Sequence, residues 1–160
     1  MDHFTRCHDF NDQITNFQIP RGRGGVSILW PTEWSPFVKK LDDGNNRIIA
    51  VEILSNNKPI CLVNAYMPTK KANSDFEYQE HLDILQSIVD KYEDTHSVLV
   101  CGDMNGTYLN DRNNSHDAKF KKFIKTNNMI IHPDMKSNQT FYHNDGRSSS
   151  QIDYITSNNA

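Results

Sequence analysis

The sequence predicts a mixed α/β (α+β) fold, and three observations carry that prediction. Short β-branched and apolar runs recur along the chain, at RIIAVEIL (47–54), ICLVNAYM (60–67) and VLVC (98–101), and each is bounded by turn residues. One longer stretch repeats its apolar residues at helical spacing instead: Tyr78, Leu82, Leu85, Val89 and Tyr92. The 160 residues contain neither an internal repeat nor a linker-like segment, so strands and helices belong to one domain.

Taken in order, RGRGG (21–25) leads into Val26, Ile28, Leu29 and Trp30, the pattern of a buried strand that follows a flexible turn. A phosphate loop is excluded there, because neither GxxxxGK[ST] nor GxGxxG is satisfied and a strand follows. The runs at 47–54 and 60–67 are separated by SNNKP and read as an antiparallel hairpin. SDFE (74–77) has the form of a capping box and starts the helix that runs to Tyr92. The run 98–101 is too short for a helix and reads as a strand. A second helix is expected over 118–126, with Phe120, Phe123 and Ile124 on one stripe and lysines outside. Residues 140–143 and 151–156 read as strands around a loop that holds Asn144, Asp145, Gly146 and three serines.

Composition bounds the function classes. With 36% hydrophobic and 23% charged residues the chain is of the globular type, and a domain of this length buries about 70% of its unfolded surface. No apolar stretch is long enough to cross a bilayer, and MDHFTRCHDF lacks the basic flank and apolar core of a signal peptide. An intracellular protein without membrane contact is expected. Three cysteines, two of them inside apolar runs, do not suggest a disulfide framework. A net charge of -3 argues against binding nucleic acid through a broad basic surface, though not against an enzyme that touches a few phosphates. The basic spots at Arg21 and Arg23, at Lys70 and Lys71, and at Lys119, Lys121, Lys122 and Lys125 read first as solvated surface.

The stretch SVLVCGDMNGTYL (97–109) places an acid and an amide where a buried strand ends. Side chains two apart on an extended segment share a side, so Asp103 and Asn105 can converge while Met104 turns to the core. Such a pair suits phosphate chemistry: the carboxylate can hold a divalent cation or orient water, and the amide can donate to a phosphoryl oxygen. A carboxylate about 4 Å from a phosphate oxygen is repelled by roughly 4 kcal/mol at an effective dielectric near 20, so an Asp aimed at phosphate implies a metal or a raised pKa. A plain Asn-Gly turn is the alternative, although no returning strand follows. A calcium loop is excluded, because Tyr108 stands at its glycine position and Asn114 at its bidentate acid position. Tyr66, before the Pro68 segment that ends its strand, can bring a hydroxyl to the same rim or be a core aromatic. Asp153, between Ile152 and Tyr154, needs a partner if it faces inward and is a surface carboxylate if it does not.

The ordered set GRGGVSILW, RIIAVEI, NAYMP, VLVCGDMNG, TF (Thr140, Phe141) and SQIDYI, spanning about residues 21–155, resembles the endonuclease/exonuclease/phosphatase superfamily. It is most similar to the endonuclease domains of non-LTR (LINE-type) retrotransposons. The resemblance implies a four-layer sandwich of two mixed β-sheets flanked by helices, and Mg²⁺- or Mn²⁺-dependent hydrolysis of phosphodiester bonds. It assigns catalytic roles to Asp103, Asn105, Tyr66 and Asp153, with Asp103 also the metal ligand, and weaker substrate contacts to Asn64 and Thr140. DNA is the implied partner, and a longer polyprotein with a reverse transcriptase the implied context.

Relatives of this type carry an Asn-bearing strand and a metal-binding Glu in an LQE-like motif before the GRGG segment, and a serine-aspartate-histidine strand after the IDYI segment. Residues 1–20 hold no Glu, and only five residues follow Ile155. His132 and His143 lie upstream of Asp153 in turn-like surroundings and are poor substitutes. The expectation is therefore a partial, incomplete domain with impaired activity. A noncatalytic remnant that binds nucleic acid or a partner is the second reading, and the same fold acting on RNA, a phospholipid or an inositol phosphate is the third.

Overall fold

Hairpin chemistry between apolar runs builds one sheet, and a crossover helix extends it. A computed structural model describes residues 4–8 (backbone only), 25–109, 112–132, 135, 139–143, 146 and 148–158. Arg21 and Arg23 lie outside them. The strands are β1 (Phe4–His8), β2 (Ser27–Pro31), β3 (Val38–Asn45), β4 (Ile48–Ile53), β5 (Ile60–Tyr66), β6 (Ser97–Asp103), β7 (Ile130–Ile131), β8 (Phe141–Tyr142), β9 (Ser149–Ser150) and β10 (Asp153–Ser157). The helices are α1 (Asp75–Tyr92) and α2 (Ser115–Thr126), and a 3₁₀ turn covers Thr32–Phe37.

Six strands form the main sheet in the order β3-β4-β5-β6-β10-β7. The SNNKP turn makes β4 and β5 antiparallel, with Ile48 opposite Ala65 and Ile53 opposite Ile60. Between β5 and β6 the chain passes through α1, and these two strands are parallel, as a helical crossover requires. The last strand, β10, returns antiparallel to β6. Apart from this sheet, β1 pairs with β2 and β8 with β9. The expected mixed α+β class is observed. A second sheet of comparable size is not among the described residues.

Strand alternation divides the sheet into two unlike faces. Ile48, Ala50, Cys61, Val63, Ala65, Val98, Val100 and Met104 face the helices and are buried against Tyr78, Leu82, Leu85, Ile88 and Val89 of α1 and Phe120, Phe123 and Ile124 of α2. Both helical stripes read from the sequence therefore make the core. The opposite face carries the buried Ile49 and Val51 of β4 together with Leu62, Asn64, Tyr66, Leu99, Cys101, Asp103 and Asp153, these seven all half-buried, and the exposed Ile155. Asn64 Nδ2 donates to the Ser27 carbonyl at 3.0 Å, which ties the start of β2 to this face.

The two helix starts differ from expectation. Ser74 precedes α1 as the SDFE pattern predicts, but its side chain makes no cap hydrogen bond. Its Oγ is instead engaged with the backbone of Lys71 and lies 3.1 Å from His116 Nε2. A true capping box stands at α2, where Asn114 and Asp117 satisfy each other's backbone N–H groups, so that this helix begins at Ser115 rather than 118.

Candidate active site

The register of the sheet brings the predicted residues together. Tyr66 is opposite Asp103 across the parallel β5/β6 ladder, and Asp103 is opposite Asp153 across the antiparallel β6/β10 ladder. Opposed residues share a face, with Cα atoms about 4.5–5.5 Å apart. One further position extends the row: the Tyr66 amide donates to the Arg47 carbonyl at 2.8 Å, continuing the β4/β5 ladder by one residue. The row thus reads Arg47, Tyr66, Asp103, Asp153 across four neighbouring strands, at the carboxyl ends of the two parallel ones, where open α/β sheets commonly bind ligands.

Arg47 joins the site although RIIAVEI, the strand segment it opens, assigns it no role. Its guanidinium lies 5.2 Å from the Tyr66 ring centroid, its Nη1 donates to the Tyr66 carbonyl at 3.3 Å, and its Nε is 3.8 Å from Glu77 Oε1. The signal for it is present in the hairpin, because a register fixed by SNNKP makes Arg47 the cross-strand neighbour of Tyr66.

Asp103 and Asn105 do share one region, but strand alternation is not the reason. The strand ends at Asp103, and Asn105 sits at φ 45°, a left-handed conformation that Asn tolerates better than most residues. An Asx turn makes the pair: the Asn105 amide donates to Asp103 Oδ1 at 2.9 Å. The Asn105 side-chain amide donates to the Met67 carbonyl at 2.9 Å, and the Met67 amide donates to the Asp103 carbonyl at 2.8 Å. Met104 is buried, as expected.

Both glycines of GDMNG are required by space. At Gly102, φ is +126° and an added Cβ would lie 2.0 Å from the Ala65 carbonyl oxygen. At Gly106 an added Cβ would lie 2.7 Å from the Tyr78 hydroxyl, which donates to the Met104 carbonyl at 2.8 Å, and 3.1 Å from Phe120 Cβ. A side chain at either position pushes the loop off its bed.

Burial, and then the neighbouring Asp153 carboxylate, push the Asp103 pKa up from 3.8 to about 6, against the hydrogen bonds from Asn105 and the charge of Arg112. Two half-buried carboxylates side by side form a like-charge pair that a divalent cation would relieve, so Asp103 and Asp153 are the side chains here that would hold Mg²⁺ or Mn²⁺, as oxygen donors suited to either ion. Among the described residues no group of three or more His, Cys, Asp or Glu side chains stands together as a metal cluster.

Thr140 and Asn64 are placed as supports. Thr140 Oγ1 accepts from the amides of Ile152 and Asp153, both at 3.1 Å, and so fixes the entry to β10. Asn64 lies one pleat repeat before Tyr66 on the same face and spends its amide on Ser27.

Three structures with the same architecture decide the fold. The endonuclease domain of TRAS1, a telomere-specific non-LTR retrotransposon, matches with a TM-score of 0.58 and 18% identity over 74% of this chain and 52% of its own. The AP endonuclease LMAP from Leishmania major matches with a TM-score of 0.70 and 13% identity over 97% of this chain and 62% of its own. The chain has the endonuclease/exonuclease/phosphatase fold. A 3′ phosphatase from Neisseria, NExo, bound to a product DNA hairpin, shares it with a TM-score of 0.61 and 14% identity over 96% of this chain and 66% of its own. The chain therefore spans between about half and two thirds of the length of these structures. No family model and no curated protein matches the sequence.

Proposed function

We propose that the chain carries the phosphodiester-handling half of a metal-dependent DNA endonuclease site, and that the row Arg47, Tyr66, Asp103, Asp153 is its working face. The observation behind this reading is the register, which lines up a cation, a phenol and two carboxylates on one sheet face with Asn105 beside them. The roles follow from chemistry. Arg47 supplies positive charge for a phosphate oxygen, and the Tyr66 hydroxyl can donate to a second one. Asp103 and Asp153 would hold a divalent cation, which when bound withdraws charge from the phosphoryl group. Asn105, held rigid by its own backbone and by Met67, presents a neutral polar group to the same oxygens without adding to the negative field. The fold shared with the TRAS1 endonuclease domain and with a phosphatase bound to DNA supports nucleic acid as the substrate.

The test is nicking of supercoiled plasmid by the 160-residue chain. Slow cleavage that requires Mg²⁺ or Mn²⁺ and is abolished by Asp103→Ala supports the reading. Cleavage that survives either chelation or Asp103→Ala contradicts it, as does a protein that neither nicks DNA nor binds Mn²⁺.

A further inference from the structure

The GDMNG loop is held from outside by a carboxylate that belongs to none of the sequence motifs. Asp117, on the first turn of α2, is fully buried, yet it carries a charge. Its Oδ1 accepts from the Thr107 amide at 2.9 Å and from Arg112 Nη2 at 2.8 Å. Its Oδ2 accepts from the Asn114 amide at 2.9 Å and from Arg112 Nε at 3.2 Å. Burial raises the cost of that charge, but the Arg112, Thr107 and Asn114 donors outweigh it and hold the carboxyl below its ordinary pKa. A capping box uses only the Asn114 contact and works at an exposed position, so capping alone gives no reason to bury an ion pair.

What the remaining contacts accomplish is visible at the loop. Thr107 is the residue after Gly106, so its amide fixes the loop's exit. Arg112 Nη2 also reaches the Asn105 carbonyl at 3.5 Å, so the same guanidinium that neutralises Asp117 bears on the residue held at φ 45°. Asn105 is also held by Asp103 Oδ1 and by the Met67 carbonyl.

We infer that Asp117 is a positioning residue for the site loop: through Arg112 and the Thr107 amide it holds Asn105 in the left-handed conformation that sets Asn105 beside Asp103. For its kinetic readout, and for that alone, the inference rests on the endonuclease reading above.

The test compares the wild-type 160-residue chain with Asp117→Asn, Asn105→Ala and the double variant. Asp117→Asn keeps size and shape but removes the charge that holds Arg112. Amide hydrogen exchange at Asn105 and Thr107 should accelerate by about tenfold or more while Val63 and Val100 in the central strands stay protected. In single-turnover nicking with Mg²⁺ the rate at saturating DNA should fall about tenfold with DNA affinity within about twofold, and should fall little further when Asp117→Asn is added to Asn105→Ala. Unchanged exchange at Asn105 and Thr107 in a folded Asp117→Asn chain overturns the inference. So does a rate loss that multiplies in full on the Asn105→Ala background, because a merely structural carboxylate would act independently of Asn105. If Asp117→Asn does not fold, Arg112→Lys, which leaves the Asp117 cap in place, decides by the same two measurements. If the wild-type chain nicks nothing, the endonuclease reading falls, and the exchange data still judge the positioning role.

Discussion

The two faces of the main sheet are built from the same strands and do opposite work. On the helix side, Val63, Ala65, Val100 and Met104 are almost completely buried against the stripes of α1 and α2. On the other side, one residue along each strand, Asn64, Tyr66, Cys101 and Asp103 are half-buried, and two carboxylates stand next to each other. The period of two that stabilises the first face delivers every second side chain to the other, so the strands of the core also aim the groups of the proposed site. Electrostatic cost is tolerated where packing does not depend on it: the like-charge pair Asp103 and Asp153 sits on a fold whose apolar face is complete without it.

The contrast is largest at Asp103. Asp103→Ala should lower metal-dependent nicking by about 10³-fold or more while leaving the thermal unfolding temperature unchanged or raised, measured by plasmid nicking and calorimetry side by side. Truncation on the helix face should do the reverse. Leu85→Ala removes a side chain that is 1% exposed and should cost about 2–5 kcal/mol of stability in denaturant titration, whereas Leu99→Ala on the half-covered face should cost less than about 1.5 kcal/mol.

A third prediction concerns pH. The Asp103 pKa is raised from 3.8 to about 6 in the folded chain, so between those values the native state binds more protons than the unfolded state, and stability falls as pH rises through that window. The deficit persists at pH 7. Asp103→Asn should therefore stabilise the metal-free chain by roughly 1–3 kcal/mol at pH 7 and by nothing measurable well below pH 3.8, where the carboxyl is protonated in both states. Added Mn²⁺ should shrink the pH 7 difference, because the cation neutralises the charge in the wild type only. The smallest effect is expected at Thr140. Thr140→Val removes the acceptor for the Ile152 and Asp153 amides at an exposed position and should cost about 0.5–1.5 kcal/mol, with a larger proportional effect on nicking than on stability.

Much of this is legible in the sequence, for identifiable reasons. The strands at 47–54 and 60–67, their antiparallel pairing and the helix ending at Tyr92 follow from periodicity and turn chemistry, which are local. The shared face of Tyr66, Asp103 and Asp153 is instead set by the long-range β5/β6 and β6/β10 registers and is implied in the sequence only by the family resemblance. Two predictions fail in their local form. The SDFE pattern locates the start of α1, but Ser74 spends its hydroxyl on Lys71 and His116, a competitor that only tertiary structure supplies. An extended chain predicts the Asp103 and Asn105 pair, whereas a turn at positive φ makes it. Strand β3, with its mixed sequence VKKLDDGN, gives little periodic signal and forms because β4 offers an unpaired edge. Arg47 and Asp117 escape a sequence reading for a different reason. Each has a readable local signature, a hairpin register and an N-x-x-D cap, but their importance lies in what they touch across the fold.

Whether Asp103 and Asp153 form a cation site on the polar face is decided by the proton balance of Mn²⁺ binding. Calorimetric titration of the chain with Mn²⁺ near pH 6, in buffers of different ionisation enthalpy, reports how many protons leave as the metal enters. With a carboxyl poised at about 6, binding should release about half a proton there and tighten from pH 5 to pH 7, and Asp103→Asn should abolish the release and weaken binding. Binding that releases no proton and is equally strong in Asp103→Asn would remove the cation from this pair of carboxylates.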